Sequence, residues 1–319
     1  MFVMTPNEFK MVDPETAVSW MDVPKDWRRP DVVGSYSILW DSNRRFGQIW
    51  PRPDAQEAMH FYDVDEYYTH GDEGRHSSTR VSFSQKVQTK LSWWADKGVE
   101  PNKEWWGRTL TKKKMKILEI GCGHGSNLSI FGSLGHDAIG LEPDVAALKV
   151  AREQGHMVYQ GTAEDLPEDL IQQRFDAVVF IHVLEHCIDP HLAVQNAARL
   201  LKEGGILVAE VPNNECLGAK VFGELWYWLD VPRHLNFFTG QSLGELASSA
   251  GFKKNAIHYR GYCRQFGHSW KSSQSHIASV MGRTTDRRVK RSNYWSYLAK
   301  TLFAKDAEKY DSVRVVARL

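Results

Sequence analysis

From residue 115 onward the chain alternates between two kinds of apolar pattern. Short apolar runs predict strands: KILEI (116–120), DAIGLEP (137–143), MVYQG (157–161), FDAVVFIHV (175–183), ILVAEVP (206–212) and KKNAIHY (253–259). Between them, NLSIFGSLG (127–135), DVAALKVAREQG (144–155), PHLAVQNAARLLKEGG (190–205) and SLGELASSAGF (242–252) carry apolar residues at helical spacing. The second of these helices stops at Gly155, and the third has Pro190 near its start and glycines past its end. FDAVVFIHV has a near-continuous apolar centre, as a strand buried on both faces does. The closing SVRVVARL alternates like a further strand. Strand and helix in alternation predict an α/β, doubly wound parallel sheet with helices on both faces.

The first 114 residues follow another pattern and read as an N-terminal accessory segment of strands and helices, able to serve as a lid. SYSILWDSNRRFGQIWPRP (35–53) suggests two short strands joined at the turn-prone DSN. PDAQEAMHFYDVDEYYTHG (53–71) suggests a helix opened by Pro53-Asp54 and closed by Gly71. Residues 80–98 read as a longer helix ending near Gly98, and VEPNKEWWGRTLTKKKM (99–115) as a linker or lid base. Residues 115–319 form the regular domain, with insertions at 214–232 and 261–310.

Composition narrows the classes. The net charge is +1, so no global field argues for nucleic acid or an anionic membrane. Cys122, Cys187, Cys216 and Cys263 show no CxxC spacing and read as reduced thiols. No apolar run reaches the length of a transmembrane helix, and MFVMTPNEF lacks the basic start of a signal peptide. The expected location is the cytoplasm.

The candidate chemistry begins at LEIGCGHGSN (118–127), which follows the first strand of the regular region and opens a helix. Gly121, Gly123 and Gly125 allow close approach of backbone to ligand. A nicotinamide dinucleotide fingerprint requires Gly or Ala where Ser126 stands, so that motif fails. G-x-G-x-G preceded by Glu119 suits a ligand without a pyrophosphate; a glycine-rich turn with no ligand is the competing reading. Glu142, 21 residues after Gly121, ends the next strand, where an acidic residue can hold both ribose hydroxyls. Asp165, in GTAEDLP after the third strand, can accept from an adenine amino group.

ILEIGCGHG, GLEPD, GTAEDLP, FDAVVFIHVLEHCIDP and LLKEGGILVAEVPN, in this order, resemble the class I S-adenosylmethionine-dependent methyltransferases. The likeness runs over about residues 115–260 plus the last strand. It is greatest to the branch holding the ubiquinone-pathway O-methyltransferases and bacterial glycan and small-molecule methyltransferases. The resemblance implies a seven-stranded Rossmann-like sheet with an antiparallel last strand and S-adenosyl-L-methionine as cofactor. It implies a cofactor site of Glu119, Gly121, Cys122, Gly123, Gly125, Glu142, Pro143, Glu164, Asp165 and His182. Within that set Glu119 orders the loop or holds the amino end of methionine, Cys122 contributes backbone, and His182 walls the adenosyl group.

Methyl transfer is an in-line displacement whose electrophile the cofactor supplies. The protein aligns the acceptor, excludes water and, for a hydroxyl, removes a proton. His186 at the end of the fourth strand and His234 in LDVPRHLNFFT are the candidate catalytic groups, with Glu185. For His186 a base or orienting role stands beside metal ligation and a structural cap; imidazole titrates near neutrality. Glu185 orients a histidine, pairs with Arg233, or is a solvated helix residue. Relatives that bind a divalent metal here carry E-x-x-E-H, whereas this chain has His182 at the first glutamate. That replacement lowers the charge and disfavours a hard divalent cation.

Other stretches bear on the acceptor. Trp226, Tyr227 and Trp228 offer flat apolar surfaces for an acceptor or simply pack. Arg283, Arg287, Arg288, Lys290 and Arg291 suit a phosphate-bearing acceptor or a solvated face. NYWSYLAKTLFAKDAEKY (293–310) has apolar residues at helical spacing, to pack on the core or touch a membrane surface. By analogy with the family, Tyr62, Tyr67 and Tyr68 close over the cofactor. The leading expectation is O-methylation of a small molecule or glycan. N- or C-methylation at the same cofactor site, and a cofactor-binding protein without turnover, are the alternatives; RNA methylation is disfavoured by the near-zero charge.

Overall fold

The computed structural model describes residues 9–62, 82–262, 268–290 and 293–319. The N-terminal segment contributes β1 (Val18–Val23), β2 (Tyr36–Asp41), β3 (Phe46–Trp50), α1 (Ala55–His60), α2 (Phe83–Ala95) and α3 (Lys103–Thr109). There follow β4 (Lys116–Ile120), α4 (Ser126–Ser133), β5 (Asp137–Glu142), α5 (Val145–Glu153), β6 (Met157–Gln160), α6 (Glu168–Ile171) and β7 (Phe175–Ile181). Next come α7 (Pro190–Leu200), β8 (Leu201–Pro212), α8 (Leu217–Phe222), β9 (Asn236–Phe237), α9 (Gly240–Ser249) and β10 (Lys253–Arg260). The chain closes with α10 (His268–Val280), α11 (Asn293–Leu302), α12 (Asp306–Lys309) and β11 (Ser312–Arg318).

Seven strands form one sheet in the order β10-β11-β8-β7-β4-β5-β6. The five from β8 to β6 run parallel, and β11 lies antiparallel between β8 and β10. This is the doubly wound α/β sheet with the reversed last strand that the motif order implied. Its strands are apolar on both faces because both are covered. Ile117, Ala177, Val179, Ile206 and Val208 join one core with Phe131 of α4 and Leu148 of α5. Their neighbours Leu118, Val178, Phe180, Leu207 and Ala209 join the other, with Val194 of α7 and Leu246 of α9. Alternate residues thus serve opposite layers, as the two-residue period of a strand requires.

The helices begin where the chemistry of caps places them. Asp144 accepts from the amides of Ala146 and Ala147 at the start of α5, and Asp189 does the same for His191 and Leu192 ahead of Pro190 in α7. Thr239 and Ser242 form a reciprocal cap on α9.

The N-terminal strands do more than accompany the sheet. β1, β2 and β3 form an antiparallel sheet whose fourth member is β9, from the loop that carries His234. Ile38 and Ile49 pack there with Trp226, Phe222 and Phe237 in a separate core. The sequence pattern foretold β2 and β3 but neither β1 nor β9.

Three other expectations need correction. The segment 99–115 contains α3, because Asn102 caps the amide of Trp105 and Trp106 buries its ring against Phe131. Helix α7 ends at Leu200, since Leu201 already pairs with Phe175 as β8 begins. Helix α1 ends at His60, well before Gly71, which lies outside the described residues. Among the described residues no helix is long and apolar enough to cross a membrane.

Candidate active site

The loop between β4 and α4 is built on three left-handed glycines. Gly121, Gly123 and Gly125 have φ of 70°, 52° and 87°, a region glycine enters without steric cost. A Cβ on Gly121 would lie 2.4 Å from Val183 Cγ2, and one on Gly125 2.5 Å from His156 Cδ2. A Cβ on Gly123 meets nothing within 4 Å, so the loop opens outward at this residue. Cys122 is buried and its sulfur packs toward Gly140, which leaves its backbone as its contribution to the loop.

Two carboxylates stand behind this opening. Glu119 is buried at the end of β4; its Oε1 accepts from Asn127 Nδ2 at 2.6 Å, while its buried Oε2 has no partner. Burial pushes its carboxyl up to about 8, against the lowering effect of Asn127. An unsatisfied buried acceptor costs about 1–3 kcal/mol, so the position suits an incoming donor. Glu142 ends β5, with Oε2 accepting from the Gly123 amide at 2.8 Å and Oε1 from the Asp144 amide at 3.0 Å. Burial raises its pKa against these two bonds. Both oxygens keep acceptor capacity, since a carboxylate offers about four lone-pair sites. Pro143 is the residue between these two turns.

Beyond β6, Asp165 is exposed and its amide donates to Thr162 Oγ1 at 2.9 Å, closing the turn. Glu164 is occupied differently: its Oε1 accepts from the Asp189 amide at 2.7 Å and ties this loop to the start of α7. An orphaned acceptor, an open glycine loop and a carboxylate at the end of the next strand fit S-adenosylmethionine, with its ammonium, its bulk and its ribose respectively.

The histidines gather at the end of β7. His182 adopts φ 57°, a left-handed backbone rare for a side chain of this size. Its Nδ1 lies 3.2 Å from Glu185 Oε1 and its Nε2 3.3 Å from Glu210 Oε1. Burial alone would lower its pKa; the hydrogen bonds to both carboxylates outweigh it and raise the pKa. Glu210, fully buried in β8, also meets Arg260 Nε at 2.6 Å and Arg314 Nε at 2.8 Å. Burial opposes its ionisation, but His182 and the two arginines hold its pKa far below the usual carboxylate range.

Glu185, His186 and His234 place three ligand-type atoms within 4.8 Å of one another. The His186 and His234 rings meet edge to face, 4.7 Å between centroids. His234 is buried, which together with the charge of His186 lowers its pKa to about 4. His186 Nδ1 lies 2.8 Å from the Tyr62 hydroxyl and 3.1 Å from the Arg233 carbonyl. The carbonyl can only accept, so it favours the tautomer with hydrogen on Nδ1 and the lone pair on Nε2. Glu185 Oε2 is buried with no partner. Burial would raise this carboxyl, but the hydrogen bond to His182 and the charge of that imidazole outweigh it and lower the pKa. Two imidazoles and a carboxylate are a donor set for a borderline ion rather than a hard one. His182 is not available to such an ion, as both its nitrogens face carboxylates.

What brings the two histidine loops together is a set of backbone straps. Leu235 N donates to the Glu185 carbonyl at 2.7 Å, and Asn236 Nδ2 to those of Leu184 and Cys187 at 3.1 and 2.6 Å. Arg52, from beyond β3, donates to the carbonyls of Leu235 and Ile188. Arg233 is buried between Asp26 and Asp230, which hold its pKa above its ordinary range despite burial. Glu185 therefore pairs with His182 rather than with Arg233.

Residue pattern did not single out Glu210, Arg314, Arg52 or Asn236. Glu210 had a signal, a carboxylate inside the apolar run ILVAEVP, because a buried charge needs partners. Tyr62 stands against His186; Tyr67 and Tyr68 lie outside the described residues. Trp226 is buried in the second core with Tyr227 and Trp228 packed against it. In the basic run, Arg288 is held by Glu224 and Asp286, Arg283, Arg287 and Lys290 are exposed, and Arg291 lies outside the described residues.

The chain is similar to known methyltransferases. Residues 101–257 match the family model described as a methyltransferase domain. A ubiquinone biosynthesis O-methyltransferase of Nitrobacter winogradskyi is 31% identical over 102 residues, 31% of this chain and 39% of that protein. One from Azorhizobium caulinodans is 29% identical over 157 residues, covering 46% and 61%. One from Alkalilimnicola ehrlichii is 31% identical over 165 residues, covering 46% and 66%. The chain thus spans between about two fifths and two thirds of the length of these relatives. A solved SAM-dependent methyltransferase from Archaeoglobus fulgidus shares 18% identity at TM-score 0.48, over 68% of this chain and 92% of its own, a likeness too slight to carry an inference.

Proposed function

Because the chain belongs to the class I S-adenosylmethionine-dependent methyltransferases, we propose that it methylates a hydroxyl of a small organic acceptor. When bound, the cofactor supplies the electrophilic methyl group. Glu119 receives its ammonium, Glu142 its ribose and the Gly123 face its bulk; Asp165 contacts the adenine and His182 walls the adenosyl group. His186 Nε2 takes the hydroxyl proton. Its Nδ1 is fixed by the Arg233 carbonyl and Tyr62, and Glu185 Oε2 offsets the charge of the imidazolium that forms. His234, with a pKa near 4, remains neutral and confines the His186 ring from the side.

The observation that carries this reading is the His186 environment: a histidine with one nitrogen anchored and an unpartnered buried carboxylate oxygen nearby. The relatives' own name, an O-methyltransferase, supports oxygen as the acceptor atom. The test is methyl transfer from labelled S-adenosylmethionine across a panel of hydroxylated aromatics and free sugars. His186→Ala lowers turnover by about 10²–10⁴, the ordinary contribution of a general base. Full activity of His186→Ala overturns the assignment.

A second reading rests on the same cluster: Glu185, His186 and His234 hold a divalent ion that orients the acceptor. Metal analysis of purified protein and turnover after exhaustive chelation separate the two, since loss of activity restored by added metal favours the ion.

A further inference from the structure

Helix α2 is built inside out. It buries Gln85, Gln88 and Ser92 along one stripe, and turns Phe83, Leu91, Trp93 and Trp94 to solvent. Trp94 is 72% exposed and Phe83 82%. Helix α11 packs beside α2. It buries Tyr294, Leu298 and Thr301 but leaves Leu302 exposed, and Phe303 just past its end is 91% exposed. Isolated exposed apolar residues are ordinary. A helix whose inner stripe is polar and whose outer face carries two tryptophans and a phenylalanine is not explained by the fold it packs on.

The same pair of helices is cationic. Lys86 and Lys90 lie on α2, Lys97 just past it, Lys300 on α11 and Lys305 just past that; neither helix contains a carboxylate, and Asp96 and Asp306 beside the two flanking lysines are the carboxylates nearest the helix ends. The Lys97 ammonium stands 5.7 Å from the Trp94 ring centroid. Since the whole chain is almost neutral at +1, this is a local concentration of positive charge.

We propose that α2 and the C-terminal end of α11 form a face that docks the protein on an anionic lipid bilayer. Tryptophan beside lysine is the composition of a membrane interface: indoles settle at headgroup depth while ammonium groups meet lipid phosphates. A second copy is a poorer occupant. A two-fold contact would set lysines against lysines. The association is peripheral, because no described helix can cross a bilayer.

Co-sedimentation of the full chain with vesicles tests this. The protein pellets with phosphatidylcholine vesicles containing phosphatidylglycerol, less with pure phosphatidylcholine, and less again as salt rises. Trp93→Ser/Trp94→Ser/Phe303→Ser weakens partitioning at least about tenfold, because the buried apolar area carries the binding. Lys86→Glu/Lys90→Glu weakens it chiefly at low salt. Circular dichroism checks that both variants stay folded. Wild type left in the supernatant with phosphatidylglycerol vesicles, or a triple variant that pellets as well as wild type, overturns the proposal. So does concentration-dependent dimerisation by ultracentrifugation that the triple substitution abolishes, which assigns the face to a second copy.

Discussion

Replacing Glu119 by glutamine separates what this residue does for a ligand from what it does to the fold. Its carboxyl titrates at about 8 rather than at the ordinary 4.5, chiefly because it is buried. Between those values the folded chain holds a proton that the unfolded chain has released. Stability therefore falls as pH rises through this window, by about 1.4 kcal/mol per pH unit. At pH 7 the loss attributable to Glu119 reaches about 3 kcal/mol, an upper figure. Glu119→Gln does not titrate and lacks this slope. Urea unfolding of the ligand-free proteins reads it as the difference between wild type and variant, with the variant gaining relative stability from about pH 5 to pH 8. Ligand binding moves the other way. At pH 7 a group of pKa about 8 is roughly nine-tenths protonated. A cofactor ammonium beside it expels that proton, so wild type releases just under one proton on binding. Calorimetry in buffers of different ionisation enthalpy measures this release. The variant releases none and binds about tenfold to a hundredfold more weakly, through loss of a charged hydrogen bond. Parallel unfolding curves, or equal proton release by the two proteins, refute the reasoning.

Asp26→Asn leaves Arg233 buried with one of its two carboxylates gone. It costs about 3 kcal/mol in urea unfolding, the usual loss when one partner of a buried pair is removed. Glu210→Gln strips the charge facing Arg314, Arg260 and His182, and costs a comparable amount, about 3 kcal/mol. It also lowers the His182 pKa, which proton NMR follows directly. Because that pKa is raised in the folded protein, the stability it contributes is present below the unfolded value and lost as pH rises through the folded one. The wild-type stability curve thus carries a slope near neutrality that Glu210→Gln flattens.

The large sheet was legible because its strands are buried on both faces and its helices are capped by local residues. The apolar runs of β4 and β7, and Asp144, Asp189 and Thr239 at helix starts, write their structure in short windows. β9 was not legible, because the two-residue strand Asn236–Phe237 exists only through its pairing with Gly47 and Gln48, some 190 residues earlier in the chain; β1 was not, because it is largely exposed and its pairing is broken by a register shift between Ser19 and Met21. The glycine loop and the HVLEH stretch were visible as motifs. What Glu185 and His182 do was not, since it depends on Glu210 and Arg233 arriving from other strands and loops. Tyr62 is one of several aromatics of the N-terminal segment, and its place against His186 depends on the β3–β9 pairing and on Arg52.

Calorimetric titration with S-adenosylhomocysteine, of wild type and of Gly123→Arg, tests the central claim most directly. The Cβ of residue 123 points into open space, where the arginine side chain fills the cofactor face; the left-handed backbone there costs a side chain about 1–2 kcal/mol, so circular dichroism first shows that the variant is folded. Saturable one-to-one binding by wild type and none by the variant is the predicted result; no heat from well-folded wild-type protein contradicts the account.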